Sequence, residues 1–171
     1  ASVTNGGTLE SESAQVALVS GSLTSTGTIE GGVDVASGAT LDSSGQINGN
    51  VDNASTLTSL SGDIDGDLTN EATGEITLDG DLDVTGTFTQ DTGAGAVTFA
   101  GNTLTANDVD LNEDITVDGG GTLLSDTDIT LVGATATVDA TSTLEATGVL
   151  DLDGTSVVTN NGTTTAGTLT V

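Results

Sequence analysis

The sequence predicts an all-β fold, a parallel β-helix (β-solenoid) with three strands in each coil of about 17–21 residues. The first observation is a recurring phrase, which reads GTIEGGV, GQINGNV, GDIDGDL and, more loosely, GDLDVTG. Its central aliphatic residues recur with a period of about 18 residues and are Ile29, Ile47, Ile64 and Leu82. Because one such unit buries too little apolar surface to offset its ordering entropy, we expect the units to stack.

The second observation is the short alternation of apolar and polar residues, as in Thr28–Glu30 and Thr137–Asp139. This period of two indicates strands with one buried face, and the intervening Gly and Asn residues suit tight corners. The third observation is a set of three aliphatic columns in the second half, which recur after about 18–21 residues and so indicate three sides to each coil. The columns are Val97, Ile115, Ala136 and Val157; Leu104, Leu123 and Leu144; and Val109, Ile129, Leu150 and Leu169.

Taken in order, residues 1–19 are expected to form an N-terminal entry or cap segment, with a strand, a turn and a strand start over Val3–Leu9. An amphipathic helix over Glu10–Val19 is the alternative for the rest of this segment. Residues 20–171 are expected to form one solenoid domain of about eight coils. Asp91–Ala96, which reads DTGAGA, is predicted to be a loop where the repeat lengthens.

The handedness of the coil is less directly encoded. Aliphatic residues lie six apart from Leu23 to Ile47, a spacing typical of left-handed β-helices. That spacing fails at Asn53 and Ser59, and the later repeat is longer. We therefore favour a right-handed coil, with the left-handed one as the alternative.

The charge balance excludes several functions. The chain has 26 Asp plus Glu and no Lys, Arg or His, for a formal net charge of −26. Nucleic acid and anionic membrane surfaces are not expected as partners, because both require basic patches. Without His, Cys or Lys, no triad or Schiff-base nucleophile exists, and no apolar run is long enough to insert in a membrane. Disorder is disfavoured because 34% of the residues are hydrophobic and regularly placed.

Two acidic triplets are the candidate metal ligands, and Ca²⁺ is the only cofactor considered. Their residues are Asp63, Asp65 and Asp67, and Asp79, Asp81 and Asp83. A step of one repeat places Asp63 beside Asp81. The same step places Asp65 beside Asp83. Adjacent carboxylates repel, and a bridging Ca²⁺ would reverse the sign of that interaction; solvated carboxylates without bound metal are the alternative.

Two further surface features give weaker evidence of a function. A flat array of threonines could bind ice or another crystal surface, but here Thr alternates with Asp and Ser without one fixed column, which favours ordinary β-propensity. Asn53–Ser55 and Asn161–Thr163 match the N-glycosylation pattern, and both lie at predicted corners.

The phrases GTIEGGVDVASGATL, GQINGNVDNASTL and GDIDGDLTNEATGEITL resemble the passenger repeats of bacterial autotransporter adhesins and filamentous-haemagglutinin-type proteins. Nearly all of residues 20–171 has that character. The first-half phrases also resemble bactofilins, although the lack of basic residues departs from a typical cytoplasmic bactofilin. The resemblance implies a right-handed parallel β-helix that is exported or self-assembling.

The leading expectation is a non-enzymatic structural protein, secreted and displayed at the cell surface, whose rods stack head to tail as a homopolymer into a fibre, stalk or layer. The first alternative is an adhesin passenger module that binds cell-surface or matrix glycans. The second is a polysaccharide-active β-helix enzyme with a carboxylate pair. Because no methionine occurs and the chain starts at Ala1, we expect a processed product or an excerpt of a larger protein.

Overall fold

A computed structural model of the protein describes residues 1–11, 15–56 and 58–171. Every regular element in these residues is a β-strand, and none of them belongs to a helix. No candidate membrane-crossing helix is therefore found in the described part of the chain. The strands are β1 (Ser2–Asn5), β2 (Thr8–Leu18), β3 (Ser22–Ser25), β4 (Thr28–Val35), β5 (Thr40–Ser43), β6 (Gln46–Asn48), β7 (Val51–Asn53), β8 (Thr58–Ile64), β9 (Leu68–Asn70), β10 (Ile76–Gln90), β11 (Val97–Thr98), β12 (Thr103–Leu111), β13 (Ile115–Val117), β14 (Thr122–Ser125), β15 (Ile129–Val132), β16 (Thr135–Val138), β17 (Thr143–Asp153), β18 (Val157–Asn160) and β19 (Thr163–Thr170).

These strands stack in parallel as a β-solenoid of about eight turns, which confirms the predicted fold class. Each coil has three faces. In one coil β5 forms the first face, β6 the second and β7 the third, and each pairs with the corresponding segment of the coils before and after it. In another coil the single strand β10 runs through all three faces.

The core is a narrow aliphatic tube filled by the inward residues of the three faces. On the third face one unbroken column lies in register from coil to coil and is at most 3% exposed. Its members are Val33, Val51, Leu68, Phe88, Val109, Ile129 and Leu150. The alternation read from the sequence thus identifies the inward residues of this column, because a strand sends successive side chains to opposite sides.

The predicted second-half columns are confirmed for the second and third faces and corrected on the first. Leu104, Leu123 and Leu144 stack directly on one another. On the first face Ala136 stacks on Ile115, but the next inward residue is Val158. Val157 instead pairs with Thr135 on the outside and is 48% exposed. Both valines fit the local pattern, so only the strand register distinguishes them.

The predicted step from Ile64 to Leu82 is wrong. Ile29, Ile47 and Ile64 do stack, but the residue opposite Ile64 is Val84. Leu82 lies opposite Gly62, because the step from Leu78 to Leu82 is four residues in β10, whereas the matching step from Leu60 to Gly62 is two residues in β8. This β-bulge, at Asp79–Asp81, inserts two residues into the coil. A shift of two keeps every side chain on its own face, so the sequence pattern looks undisturbed.

A buried amide ladder follows the end of the third face. The Asn53 amide donates to Asn70 Oδ1 at 2.9 Å, and the Asn70 amide donates to Gln90 Oε1 at 3.1 Å. All three side chains are fully buried. Their remaining donors reach backbone carbonyls, as in the 2.7 Å bond from Gln90 to Gly95. The Asn53 amide nitrogen, the atom that a glycan would modify in the N-glycosylation pattern noted from the sequence, is therefore buried and hydrogen-bonded in the folded state.

The alternative helix over Glu10–Val19 is also wrong. β2 runs through this segment and pairs in parallel with β4, so that Leu9, Val16 and Leu18 stack against the first inward residues of the next coil. Parallel pairing with β4 stabilises this segment more than helix formation could, because an isolated helix of about ten residues is only marginally stable. The predicted loop at Asp91–Ala96 is confirmed: it lies between β10 and β11, and an isolated bridge joins Ala72 to Ala94.

Candidate functional site

The second face carries an open acidic pocket with a volume of about 320 Å³. Parallel pairing of β8, β10 and β12 brings its lining residues together across three coils. We call this feature the acidic pocket; it is lined by Gly62, Asp63, Asp81, Leu82, Asp83, Thr103 and Thr105. Three of the six predicted metal ligands therefore share one pocket, and the other three do not line it.

The predicted carboxylate pairs are wrong in detail. Asp83 lies directly opposite Asp63, since the bulge before Leu82 moves the register by two residues. The strand register does not pair Asp81 with Asp63, and the Asp81 Oδ1 accepts a hydrogen bond from the Thr103 backbone N–H at 2.8 Å. The register does not pair Asp65 with Asp83 either, and the Asp65 carboxylate accepts a hydrogen bond from the Thr85 hydroxyl at 3.0 Å.

The two remaining candidates also make contacts between coils. Asp67 accepts the Thr87 backbone N–H at 2.9 Å, and Asp79 accepts the Ser59 hydroxyl. Hydroxyl and backbone donors thus take the place of the absent basic side chains. In the described part of the chain, no three carboxylates converge closely enough to hold a metal ion. Calcium binding stays a prediction, and the pair to test is Asp63 with Asp83.

From the acidic pocket onward the second face carries two ranks of outward residues, most of them threonines, which we call the threonine array; its first members, Thr103 and Thr105, also line the pocket. The first rank is Thr103, Thr122, Thr143 and Thr163, and the second is Thr105, Leu124, Glu145 and Thr165. Each residue lies directly opposite the next in its rank. The statement from sequence that Thr follows no fixed column is therefore wrong for this face.

The threonine array was missed although its signal is present. Each leucine of the column Leu104, Leu123 and Leu144 is preceded by a threonine, so the threonines keep the same steps as the leucines. Counting Thr over the whole chain hides this regularity, because the third face alternates Thr with Asp. Aligning outward residues to the confirmed inward column would have shown it.

No protein-family model, curated protein or solved structure matches this chain in the three comparisons. The chain is a β-solenoid repeat protein on the evidence of its strand pairing. Its likeness to autotransporter, haemagglutinin-type and bactofilin repeats therefore remains a resemblance of phrases, and the site must be interpreted from its own chemistry.

Two carboxyl groups away from the pocket are electrostatically perturbed. Burial raises the pKa of Asp110 on the third face, and the nearby Asp108 carboxylate raises it further. Burial likewise raises the pKa of Glu71, at the corner after β9, and the carboxylates of Asp52, Asp34 and Asp91 add to the effect. The chain has no basic side chain that could offset these repulsions.

Stability is expected to increase as the pH falls from about 7 to about 4.5. A carboxyl whose pKa is higher in the folded than in the unfolded state favours folding when protonated, and this contribution is lost as the pH rises through the folded pKa. Melting curves by circular dichroism at constant low ionic strength would show the midpoint rising on acidification. The double variant Glu71→Gln and Asp110→Asn should show a smaller rise. A midpoint that falls over this interval would contradict the prediction.

The Asp63–Asp83 pair predicts a response to both mutation and calcium. Asp83→Asn should raise the melting temperature by about 1–3 °C at low salt, because like charges directly opposite each other on a sheet are destabilising. Millimolar Ca²⁺ should raise the melting temperature of the unmodified protein and have less effect on the variant. Asp42→Asn is the matched control, since Thr24 and Ser59 lie opposite Asp42. Equal responses of both variants would exclude a calcium site at this pair.

Proposed function

We propose that the chain is a non-enzymatic extracellular structural protein whose rods stack end to end into a surface fibre, stalk or layer. The observation that carries this proposal is the uninterrupted parallel stacking of about eight coils, in which each coil continues the hydrogen-bond ladder and the aliphatic column of the coil before it. The first and last described coils, which we call the end coils, are formed by β1 with β2 and by β18 with β19, and within the described residues each pairs with its one neighbouring coil. A strand edge can pair with a further coil in the same way.

The end coils also leave inward apolar side chains partly exposed. Val158 and Ala166 are only partly buried, and Leu169 is 60% exposed. At the other end Leu9 and Val16 are partly buried in the same way. Inside the stack the equivalent positions are sealed, as Leu150 beneath Leu169 shows. A second copy placed on the end coil would continue both the hydrogen-bond ladder and the aliphatic column.

Charge favours growth at the ends over association at the sides. A net charge of −26 makes parallel rods repel along their length, whereas end-to-end contact brings only one coil of each rod together. Screening by salt weakens the repulsion, so we expect end-to-end assembly to increase with ionic strength. The absence of Lys and Arg also removes trypsin cleavage sites, which suits a protein exposed outside the cell. The autotransporter-like phrases support the same placement.

Val158→Lys tests the proposal. The inward lysine can reach solvent at a free end but would be buried in a stacked one, so the variant should fold and fail to assemble. Thr159→Lys is the matched control, because it adds the same charge at the adjacent outward position. Negative-stain electron microscopy and sedimentation velocity at low and high salt should show filaments or end-to-end oligomers for the unmodified chain and the control only.

Monomeric rods of the unmodified chain under all conditions would overturn the proposal. Monomeric rods that bind on a glycan array would favour the adhesin module instead. Circular dichroism of both lysine variants would confirm that the solenoid itself is intact.

A further inference from the structure

The corner between the first and second faces of one coil carries an asparagine with an exposed, unpartnered amide. This residue is Asn161, between β18 and β19, and within the described residues its side chain makes no hydrogen bond. The other match to the N-glycosylation pattern is the opposite case. The Asn53 amide is fully buried and donates to Asn70 Oδ1 at 2.9 Å and to the Glu75 carbonyl at 3.1 Å. The fold thus leaves one of the two acceptor amides accessible.

The rest of the second pattern is accessible as well. Gly162 donates its backbone N–H to Asn160 Oδ1 at 3.0 Å, which fixes a tight turn around the exposed Asn161. Thr163 is exposed, and its hydroxyl makes no hydrogen bond within the described residues. A Cβ at Gly162 would lie 2.3 Å from the Asp139 carbonyl oxygen, so this corner requires glycine. No side chain therefore stands between the acceptor amide and the threonine hydroxyl that the pattern requires.

The same corner position stays at the surface inside the stack. Thr26 and Ser44 occupy it in earlier coils, where each is followed by a glycine, as Asn161 is. Each of the three residues donates its backbone N–H to the carbonyl that ends the first face of the coil before. Thr26 and Ser44 are exposed although their coils have neighbours on both sides. A group attached to Asn161 would therefore project beside the rod, where a further stacked coil would not cover it.

We propose that Asn161 is the attachment site of an N-linked glycan, an inference that rests on the extracellular placement in the proposed function. The donor is an oligosaccharide linked through pyrophosphate to a lipid. The Asn161 amide nitrogen forms a bond to the anomeric carbon of the sugar, and the bond from that carbon to the pyrophosphate oxygen breaks. The lipid pyrophosphate leaves with the electron pair, and one amide proton passes to a base of the transferring enzyme.

Folding distinguishes the two patterns, because it decides where a glycan can remain solvated. A glycan on Asn53 would replace an amide hydrogen that the buried ladder uses and would force hydrated sugar into the core, so a chain modified there should not fold. A glycan on Asn161 breaks no hydrogen bond of the chain and stays in water. In a stacked fibre, each copy would carry one hydrated group beside the rod, which adds a steric barrier to the charge repulsion between rods.

The test secretes the chain from a eukaryotic cell that adds N-linked glycans and measures its mass before and after treatment with peptide N-glycosidase. We expect one glycan on each folded copy, and peptide mapping should locate it at Asn161. Thr163→Ala should abolish the glycan, because it removes the hydroxyl that the pattern requires, and Thr163→Ser should retain it. Asn160→Gln is the matched control, since it changes the adjacent exposed amide outside the pattern and should leave the glycan in place.

A folded, secreted chain without a glycan would overturn the proposal, as would a glycan on Asn53 of the folded protein or one that persists in Thr163→Ala. Circular dichroism melting would verify that each variant is folded, and the glycosylated and deglycosylated forms should unfold at the same temperature. A lower midpoint for the glycosylated form would contradict the free amide on which the proposal depends. Filaments of an unglycosylated chain would overturn this inference alone, whereas a glycosylated chain that stays monomeric would overturn end-to-end assembly alone.

Discussion

Phe88→Ala is expected to lower the free energy of unfolding by about 3–5 kcal/mol. Phe88 is fully buried at the middle of the third-face column, between Leu68 in the coil before and Val109 in the coil after. Truncation removes the largest side chain of that column and leaves a cavity between two coils. The cavity cannot close easily, because the hydrogen-bond ladders on either side fix the coil spacing.

Urea unfolding followed by far-ultraviolet circular dichroism measures this loss, since the chain has no Trp or Tyr for fluorescence. The control is Thr89→Ala, which changes the next, outward position of the same strand and should cost less than about 1 kcal/mol. A loss below about 1 kcal/mol for Phe88→Ala would show that this column is not packed as described. Separate transitions for the two halves would show that the variant uncouples the stack at this coil.

Asn70→Ala is expected to have the second largest effect, a loss of about 2–4 kcal/mol. Asn70 is the middle member of the buried amide ladder, where it accepts from Asn53 and donates to Gln90. Removing its amide leaves Gln90 Oε1 without that donor in a buried site and opens a small cavity. The Asn53 amide keeps its 3.1 Å bond to the Glu75 carbonyl, which limits the cost.

The matched control is Asn107→Ala, because the exposed Asn107 amide contacts only the neighbouring Asp108 carboxylate. Both variants are compared by the same urea unfolding. If the Asn70 and Asn107 variants were equally stable, water would be replacing the lost hydrogen bonds of the ladder without a loss of free energy, and the corner would be open to solvent. Hydrogen exchange at the Gly74 and Gly95 amides should increase in the Asn70 variant alone, since the ladder closes the corner beside them.

Much of the fold could be predicted from the sequence, because a solenoid is built from contacts within one coil and between neighbouring coils. Alternation at a period of two identifies inward residues, and the regular repeat length aligns them from coil to coil, as for Ile29, Ile47 and Ile64. These signals are independent of distant contacts, since each coil interacts with its immediate neighbours. The composition likewise determines that carboxylates must find hydroxyl, backbone or solvent partners.

The candidate site was predicted only in part, and the reason is the register. Asp63, Asp81 and Asp83 share a pocket as the triplets suggested, but the pairing is Asp63 with Asp83. A bulge of two residues preserves alternation and so leaves no trace in the pattern of apolar and polar residues. The threonine array became visible only once the strand pairs fixed which outward residues lie opposite one another.

The sequence by itself determined the class of fold, most of the inward residues and the acidic character of the surface, because each depends on period and composition. The tertiary structure alone decided which outward side chains are neighbours, which asparagines are buried and where the register shifts. Those properties depend on hydrogen bonds between residues a whole coil apart in the chain, as Asn70 and Gln90 show. One repeat of sequence does not specify how many residues the next coil will insert before the ladder resumes.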